Sequence, residues 1–422
     1  MSSIIDLEKK LDSSDKTVRL SALKELTIME RSGALPAPAE TKFVNNHIHT
    51  TYSFSPYSPT AALYYARKAG LRTAGIMDHD SVSGCEEFNL AGEIAGISTT
   101  CGFECRVKMH NTSLCGMRIN NPDQNSLAYV ALHGIPHQNI ALCEEFLAPF
   151  RAKRGVRNKL MTEKLSAIIA PFGLALDYEH DVVPLSRSAE GGSVTERHIL
   201  FALALKLVAL YGKGQKLIDF LKNELKLNME TKIESFLCDS SNIYYEYDLL
   251  GALKSEFISQ FYIDAFDECP DVTEFIAFAK KIGGISAYAY LGDVEDSATG
   301  DKKSQKFEDS YLDQLFDVLK GLDFNAITYM PSRNTTAQLE RIIELCKNFE
   351  FFQISGEDIN TPRQSFICKA LEEERFSHLN YATYVLIGHE KAATLDPENA
   401  MFSKKTIIDC PDLTKRAQRY YK

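Results

Sequence analysis

Three short apolar runs near the start of the chain each end in residues that bind metals, and helix-forming sequence separates each run from the next. The first, Phe43–His49, carries His47 and His49. The second, Ala74–Met77, leads into Asp78-His79-Asp80, and the third, Ile97–Phe103, leads into Glu104. In an extended strand, positions two apart share a face, so both imidazoles of the first run project to one side. Ser58-Pro59-Thr60 opens a helix with Ser as cap and Pro at the first position, Gly70 closes it, and Gly84–Ala95 reads as a second helix. Strand, helix, strand, helix is the pattern of a parallel sheet with right-handed crossovers. Such sheets build their sites at the carboxyl ends of strands. Taken singly, each piece has a plain reading: an incidental His-x-His, a polar turn, and Glu104 as the surface partner of Arg106. Their recurrence at one structural position outweighs those readings, because His, Asp and Glu are the nitrogen and oxygen ligands that Zn²⁺, Mn²⁺ and Fe accept.

His47-Ile48-His49-Thr50 with Ser53, then Met77-Asp78-His79-Asp80-Ser81-Val82-Ser83-Gly84, then Gly102-Phe103-Glu104 resemble the opening of the polymerase-and-histidinol-phosphatase (PHP) metallophosphoesterases. The resemblance implies an α/β fold, a distorted (β/α)₇ TIM-like barrel. Further along, His133 follows an apolar run and precedes Gly134, and His137 is a weaker candidate of the same kind. Cys115–Ile119 and Ser126–Leu132 read as further strands, the second with a helical alternative.

Residues 144–269 depart from the alternation, with amphipathic helical runs such as Ala152–Ala170 and Val194–Tyr211. We read them as a helical insertion over the barrel mouth. Within it, Ser193 is a candidate cap that places Arg197 and His198 in a first helical turn, where anions are favoured. That segment resembles the family's Arg-x-His, whose histidine binds metal. Alternation resumes after Asp271. Ala289-Tyr290-Leu291 stands where the family has Ala-His-Pro, Pro331-Ser332-Arg333-Asn334 offers Ser332 and Arg333 to a phosphate, and Gly356-Glu357-Asp358-Ile359-Asn360 resembles the closing Gly-x-Asp-x-His with Asn360 in place of histidine. The chain divides into an N-terminal helical arm (1–40), a first barrel part (41–143), the insertion (144–269), a second barrel part (270–365) and a C-terminal extension (366–422).

The resemblance implies one ion held by His47, His49, Glu104 and Asp358, and another by Glu104, His133 and His198, with Glu104 bridging. The third site is depleted: Phe54 follows Ser53 where the family carries Asp, leaving Asp78, His79 and Asn360. Two divalent transition-metal ions (Mn, Fe or Zn) are therefore expected, with a third weak or absent. The implied chemistry is hydrolysis of a small phosphorylated metabolite or nucleotide by a metal-bridging hydroxide. His79 or Asp80 would move the proton, and Arg197 and Arg333 would hold the phosphate. Alternatives are a nuclease acting on nucleic-acid ends and a catalytically decayed scaffold, the latter suggested by Phe54, Tyr290 and Asn360.

A formal net charge of −10 argues against a nucleic-acid polymer or an anionic membrane as partner. Ten scattered cysteines without a Cys-x-x-Cys pair suit reduced thiols in the cytoplasm. Neither a signal peptide nor a bilayer-spanning run is evident. His378 and His389 read as structural or surface residues.

Overall fold

The computed structural model describes residues 3–39, 41–294 and 305–421. Seven strands pair in strict sequence order in one sheet. They are β1 (Val44–Ile48), β2 (Thr73–His79), β3 (Ser98–Lys108), β4 (Leu127–His133), β5 (Ile285–Ala289), β6 (Ala326–Tyr329) and β7 (Phe352–Ser355). The sheet curls until its edges meet: Ile48 bridges Ile359 just beyond β7, His49 N–H donates to the Ile359 carbonyl at 3.0 Å, and Asn46 Nδ2 donates to the Ser355 carbonyl at 2.8 Å. The result is a distorted TIM-like barrel. Closing the sheet satisfies the edge hydrogen bonds that an open sheet leaves exposed.

One strand departs from the parallel pattern expected of the alternation. β4 runs antiparallel to both β3 and β5. A parallel neighbour needs a long crossover, usually a helix, whereas an antiparallel one does not. Residues 109–126 supply only turns, in which Met109 N–H donates to Ser126 and Ser126 N–H to Met117. Cys115–Ile119 therefore forms turns rather than the strand its composition suggests.

Helices α1 (Ile4–Lys10) and α2 (Lys16–Arg31) pack on α3 (Pro59–Lys68) and α4 (Cys85–Ala95) outside the wall. Leu7, Leu11, Leu23 and Leu26 are buried there. Arg19 is also buried, with Nε donating to Glu87 Oε1 at 2.8 Å, and the same oxygen accepts from Thr60 at 2.6 Å. Ser58 caps α3 through the Ala61 N–H, as its Ser-Pro-Thr start predicts.

After β4 come α5 (Ile140–Ile169), α6 (Glu196–Tyr211), α7 (Gln215–Asn223), α8 (Thr231–Cys238), α9 (Tyr245–Glu256) and α10 (Ile258–Phe261). They share an apolar core of their own, which takes in Phe54 from the loop after β1. Helices α11 (Val272–Ile282), α12 (Leu312–Gly321) and α13 (Thr336–Asn348) flank the later strands. Finally α14 (Ser377–Leu395), α15 (Lys404–Asp409) and α16 (Leu413–Gln418) complete the chain. Val385 and Leu386 of α14 close one end of the barrel against Met77, Ala131, Ile285 and Ile354. Gly388 lets the C-terminal backbone pack on α14: a Cβ there would lie 1.8 Å from the Tyr420 carbonyl oxygen. His389 is buried, donating to the Gly134 carbonyl at 3.2 Å while its Nδ1 accepts Met401 N–H. Among the described residues, no helix is long and apolar enough to cross a membrane.

Candidate metal centre

At the other end of the barrel side chains from the ends of β1 and β2 meet Glu104, which lies within β3 rather than at the strand end its sequence suggested, because β3 runs on to Lys108. His47 Nε2 lies 3.2 Å from His49 Nε2, and both face Glu104 Oε1, at 3.4 and 3.2 Å. His79 Nδ1 reaches the same oxygen at 3.0 Å, and Asp358, from the loop after β7, brings Oδ1 to 3.1 Å from His49 Nε2. Two imidazole nitrogens that close cannot both keep a proton between them. Their lone pairs and the carboxylate oxygens point to a shared cation, so the donor set fits a divalent metal. His47, His49 and Glu104 form a buried group with metal-binding spacing.

The surroundings fix the orientation of these donors. Asp78 is fully buried and accepts from Thr50 N–H at 2.7 Å, Thr50 Oγ1 at 2.6 Å and Ser53 Oγ at 2.6 Å. Because Ser53 spends its proton on Asp78, its oxygen accepts from His49 Nδ1–H at 3.2 Å. That relay leaves the lone pair of His49 on Nε2, the nitrogen facing Glu104. Asn360 Nδ2 donates to Asp358 Oδ1 at 2.6 Å. Burial opposes a charged His49, but hydrogen bonds accepted by Asp358 and Glu104 carry it up to about 10. For Glu104, burial is outweighed by His79 and His47, and its carboxyl is held well below the usual range. Burial pushes His79 and His133 down to about 3, so both rings are neutral.

His133 stands within electrostatic reach of His47 and Glu104, and its buried Nε2 has no hydrogen-bond partner. His198 is placed differently. Its Nδ1 accepts the Thr195 N–H at 2.9 Å in a capping box at the start of α6, which leaves the proton of the neutral ring on Nε2. Phe54 packs edge-on against that ring, with centroids 5.0 Å apart. The helix cap is Thr195, two residues beyond the Ser193 the sequence suggested. His137 turns to the outside of the barrel, toward Glu390.

Asp80 adopts φ 51°, a left-handed conformation that a non-glycine residue holds only when its surroundings impose it. Its N–H donates to the Glu104 carbonyl, and its own carbonyl accepts from Arg151 at 2.9 Å. The Asp80 carboxylate is paired with Arg154 on α5. That pair belongs to a buried lattice of three arginines, Arg106, Arg154 and Arg157, facing Asp80, Glu196 and Glu268. Arg154 reaches Glu196 at 2.8 Å, Arg157 reaches Glu268 at 2.5 Å, and Arg106 also pairs with Glu268. Sequence reasoning passed over this lattice. Its one signal is that Arg151, Arg154 and Arg157 recur every three residues, on a helix face that turns out to be buried.

The metal-binding side chains open into a cleft of about 600 Å³. His47, His79, Glu104, Arg197, Asp358 and Asn360 line it, together with Lys254, Tyr129 and Tyr262. An adjoining lobe of about 390 Å³ shares Arg197, Lys254 and Asp358 and extends past Ser332 and Arg333. Arg197 lies 6.0 Å over the Phe54 ring. Ser332 Oγ donates to Glu357 at 2.5 Å, and Arg333 Nε donates to the Leu291 carbonyl at 3.2 Å.

The barrel is similar to solved structures. One is a protein of Bifidobacterium adolescentis ATCC 15703 assigned as a metal-dependent phosphoesterase: TM-score 0.51, 19% identity, covering 81% of this chain and 97% of that one. Another is an amidohydrolase of Chromobacterium violaceum with bound sulfate and no metal: TM-score 0.50, 15% identity, covering 77% and 90%. At these identities the likeness is one of fold. No family model matches the chain, and no curated protein matches it.

Proposed function

We propose that this chain is a metal-dependent phosphoesterase of PHP type that hydrolyses a small phosphorylated metabolite or nucleotide. The observation that carries the reading is the convergence of His47, His49, Glu104 and Asp358 on one point at the base of a cleft whose rim carries Arg197. These four would hold one ion. Glu104 and the orphaned His133 nitrogen would hold a second, and His198, with Nδ1 committed to its helix cap, would lie outside that set. Bound there, divalent ions supply a Lewis acid for phosphoryl oxygens and lower the pKa of water.

The chain's own groups do the rest. Arg197 and Lys254 stand where the two lobes meet and would take the remaining phosphate oxygens, with Arg333 and Ser332 further along the adjoining lobe. His79 is the most open of the three clustered imidazoles. A neutral His79 that donates from Nδ1 to Glu104 keeps an Nε2 lone pair for a proton moved during the reaction. Asp80, locked to Arg154, positions His79 and stays out of the proton path. The acidic surface favours a small substrate over a nucleic-acid polymer.

The test is metal analysis of the purified protein, followed by phosphate release from nucleotides and sugar phosphates with added Mn²⁺ or Zn²⁺. Bound metal with turnover that is lost in the His49→Ala variant is expected. Stoichiometric metal without turnover of any phosphoester would defeat the reading, and hydrolysis of amides alone would redirect it to amidohydrolase chemistry.

A further inference from the structure

β3 presents alternate faces. Glu104 and Arg106 enter the barrel, while Cys101 points outward to the helices that cover the wall. There Cys101 meets two residues far away in sequence, His137 from the turn after β4 and Glu390 on α14. Their ligand atoms lie within 4.8 Å of one another. His137 Nε2 is 2.9 Å from Glu390 Oε1, and Glu390 Oε2 accepts the Cys101 N–H at 2.8 Å. Asn89 Nδ2 sits 3.2 Å from both Cys101 Sγ and His137 Nε2, so one amide bridges the sulfur and the imidazole and brings them to the same place. Cys101 and Glu390 are buried, whereas the His137 side chain is 45% exposed and gives an ion a way in.

We propose that Cys101, His137 and Glu390 form a second divalent-metal site, of the zinc class, that pins the C-terminal helix α14 to the outer wall of the barrel. Thiolate, imidazole and carboxylate together are a borderline-soft set that suits Zn²⁺. Bonds of about 2.0–2.3 Å in a tetrahedron hold ligands ~3.5 Å apart, so the present spacing closes on an ion with about an ångström of side-chain movement. Thiolate and carboxylate neutralise the ion, and a water on the exposed His137 side completes four ligands. The Cys101 thiol proton leaves to solvent on binding, and the neutral His137 ring ligates through Nε2 with its proton on Nδ1. Cys85 and Asn89, both hydrogen-bonded to Cys101, hold the sulfur in place. The site is separate from the His47 cluster, which contains no sulfur.

That difference supplies the test. The full chain is reduced, stripped of metal with a chelator and titrated with Co²⁺. A thiolate ligand gives a sulfur-to-cobalt charge-transfer band in the near ultraviolet that nitrogen and oxygen ligands do not. The expected result is such a band at one equivalent per chain, absent from Cys101→Ser. The surface variant His137→Asn should weaken the binding that produces it by roughly 10–100-fold, and zinc content should fall by one ion per chain in both variants. A wild-type protein without the band overturns the proposal, as does a band that persists in Cys101→Ser. If Cys101→Ser fails to fold, His137→Asn decides alone, and unchanged cobalt affinity in that variant sinks the site.

Discussion

Replacing Arg154 with Met keeps the length of the side chain and removes one cation from a buried lattice of three arginines and three carboxylates. Asp80 then faces the barrel wall with no partner of its own, and Glu196 keeps Arg157. Removing one member of a buried ion pair costs about 3–5 kcal/mol. Here a second limit applies, because Asp80 can escape its uncompensated charge by binding a proton. From an ordinary carboxyl near 3.9, protonation at about pH 7 costs ~1.36 × 3.1, or about 4 kcal/mol, which caps the loss. At about pH 5 the same step costs roughly 1.5 kcal/mol. Burial already raises the Asp80 carboxyl with Arg154 in place, and the variant pushes it further.

The sign follows from proton binding. A carboxyl raised in the folded state makes the variant most stable at low pH and less stable as pH rises. Urea unfolding of wild type and Arg154→Met should therefore differ by about 3–4 kcal/mol near pH 7 and by ~2–3 kcal/mol less near pH 5. Adding Asp80→Asn should abolish most of that pH dependence. A loss under about 1 kcal/mol, or one equal at both pH values, would refute the account of the lattice.

Three further outcomes are expected. Ser53→Ala removes the acceptor that fixes His49 Nδ1–H, and metal affinity measured by calorimetry should drop about 10–100-fold while circular dichroism stays native. Unchanged affinity would show that the Ser53 relay does not set the tautomer. Glu308 is buried and pushed up to about 8, so its folded state binds the tighter proton, and its contribution to stability declines as pH rises from about 4.5 to 8. Glu308→Gln should flatten the fall of Tm over that window, and a curve parallel to wild type would count against it. Gly388→Ala should destabilise by about 1–3 kcal/mol despite alanine's better helix propensity, because the new methyl meets the Tyr420 carbonyl; a neutral or stabilising result in urea unfolding would contradict that packing.

Much of the centre was legible along the chain because its first donors lie on or just after short strands. His47 and His49 sit two apart on one strand, and Glu104 closes an apolar run, so local periodicity alone orients them. Ser58 and its following proline announced a helix start for the same reason: a cap is satisfied within a few residues. Where a side chain's partner lay far off in sequence, that legibility failed. Asp78 and Asp80 are neighbours with the same carboxyl group, yet one anchors the loop holding Ser53 and the other is bound to Arg154 on α5.

By itself the sequence determined most of the strands and helices and the imidazoles and carboxylates available to an ion, because periodicity and capping are local properties. Tertiary structure alone decided the reversal of β4, the pairing of Asp80 with Arg154 and the meeting of Cys101, His137 and Glu390. These depend on where burial forces distant charges and donors to find partners, and no spacing along the chain records that.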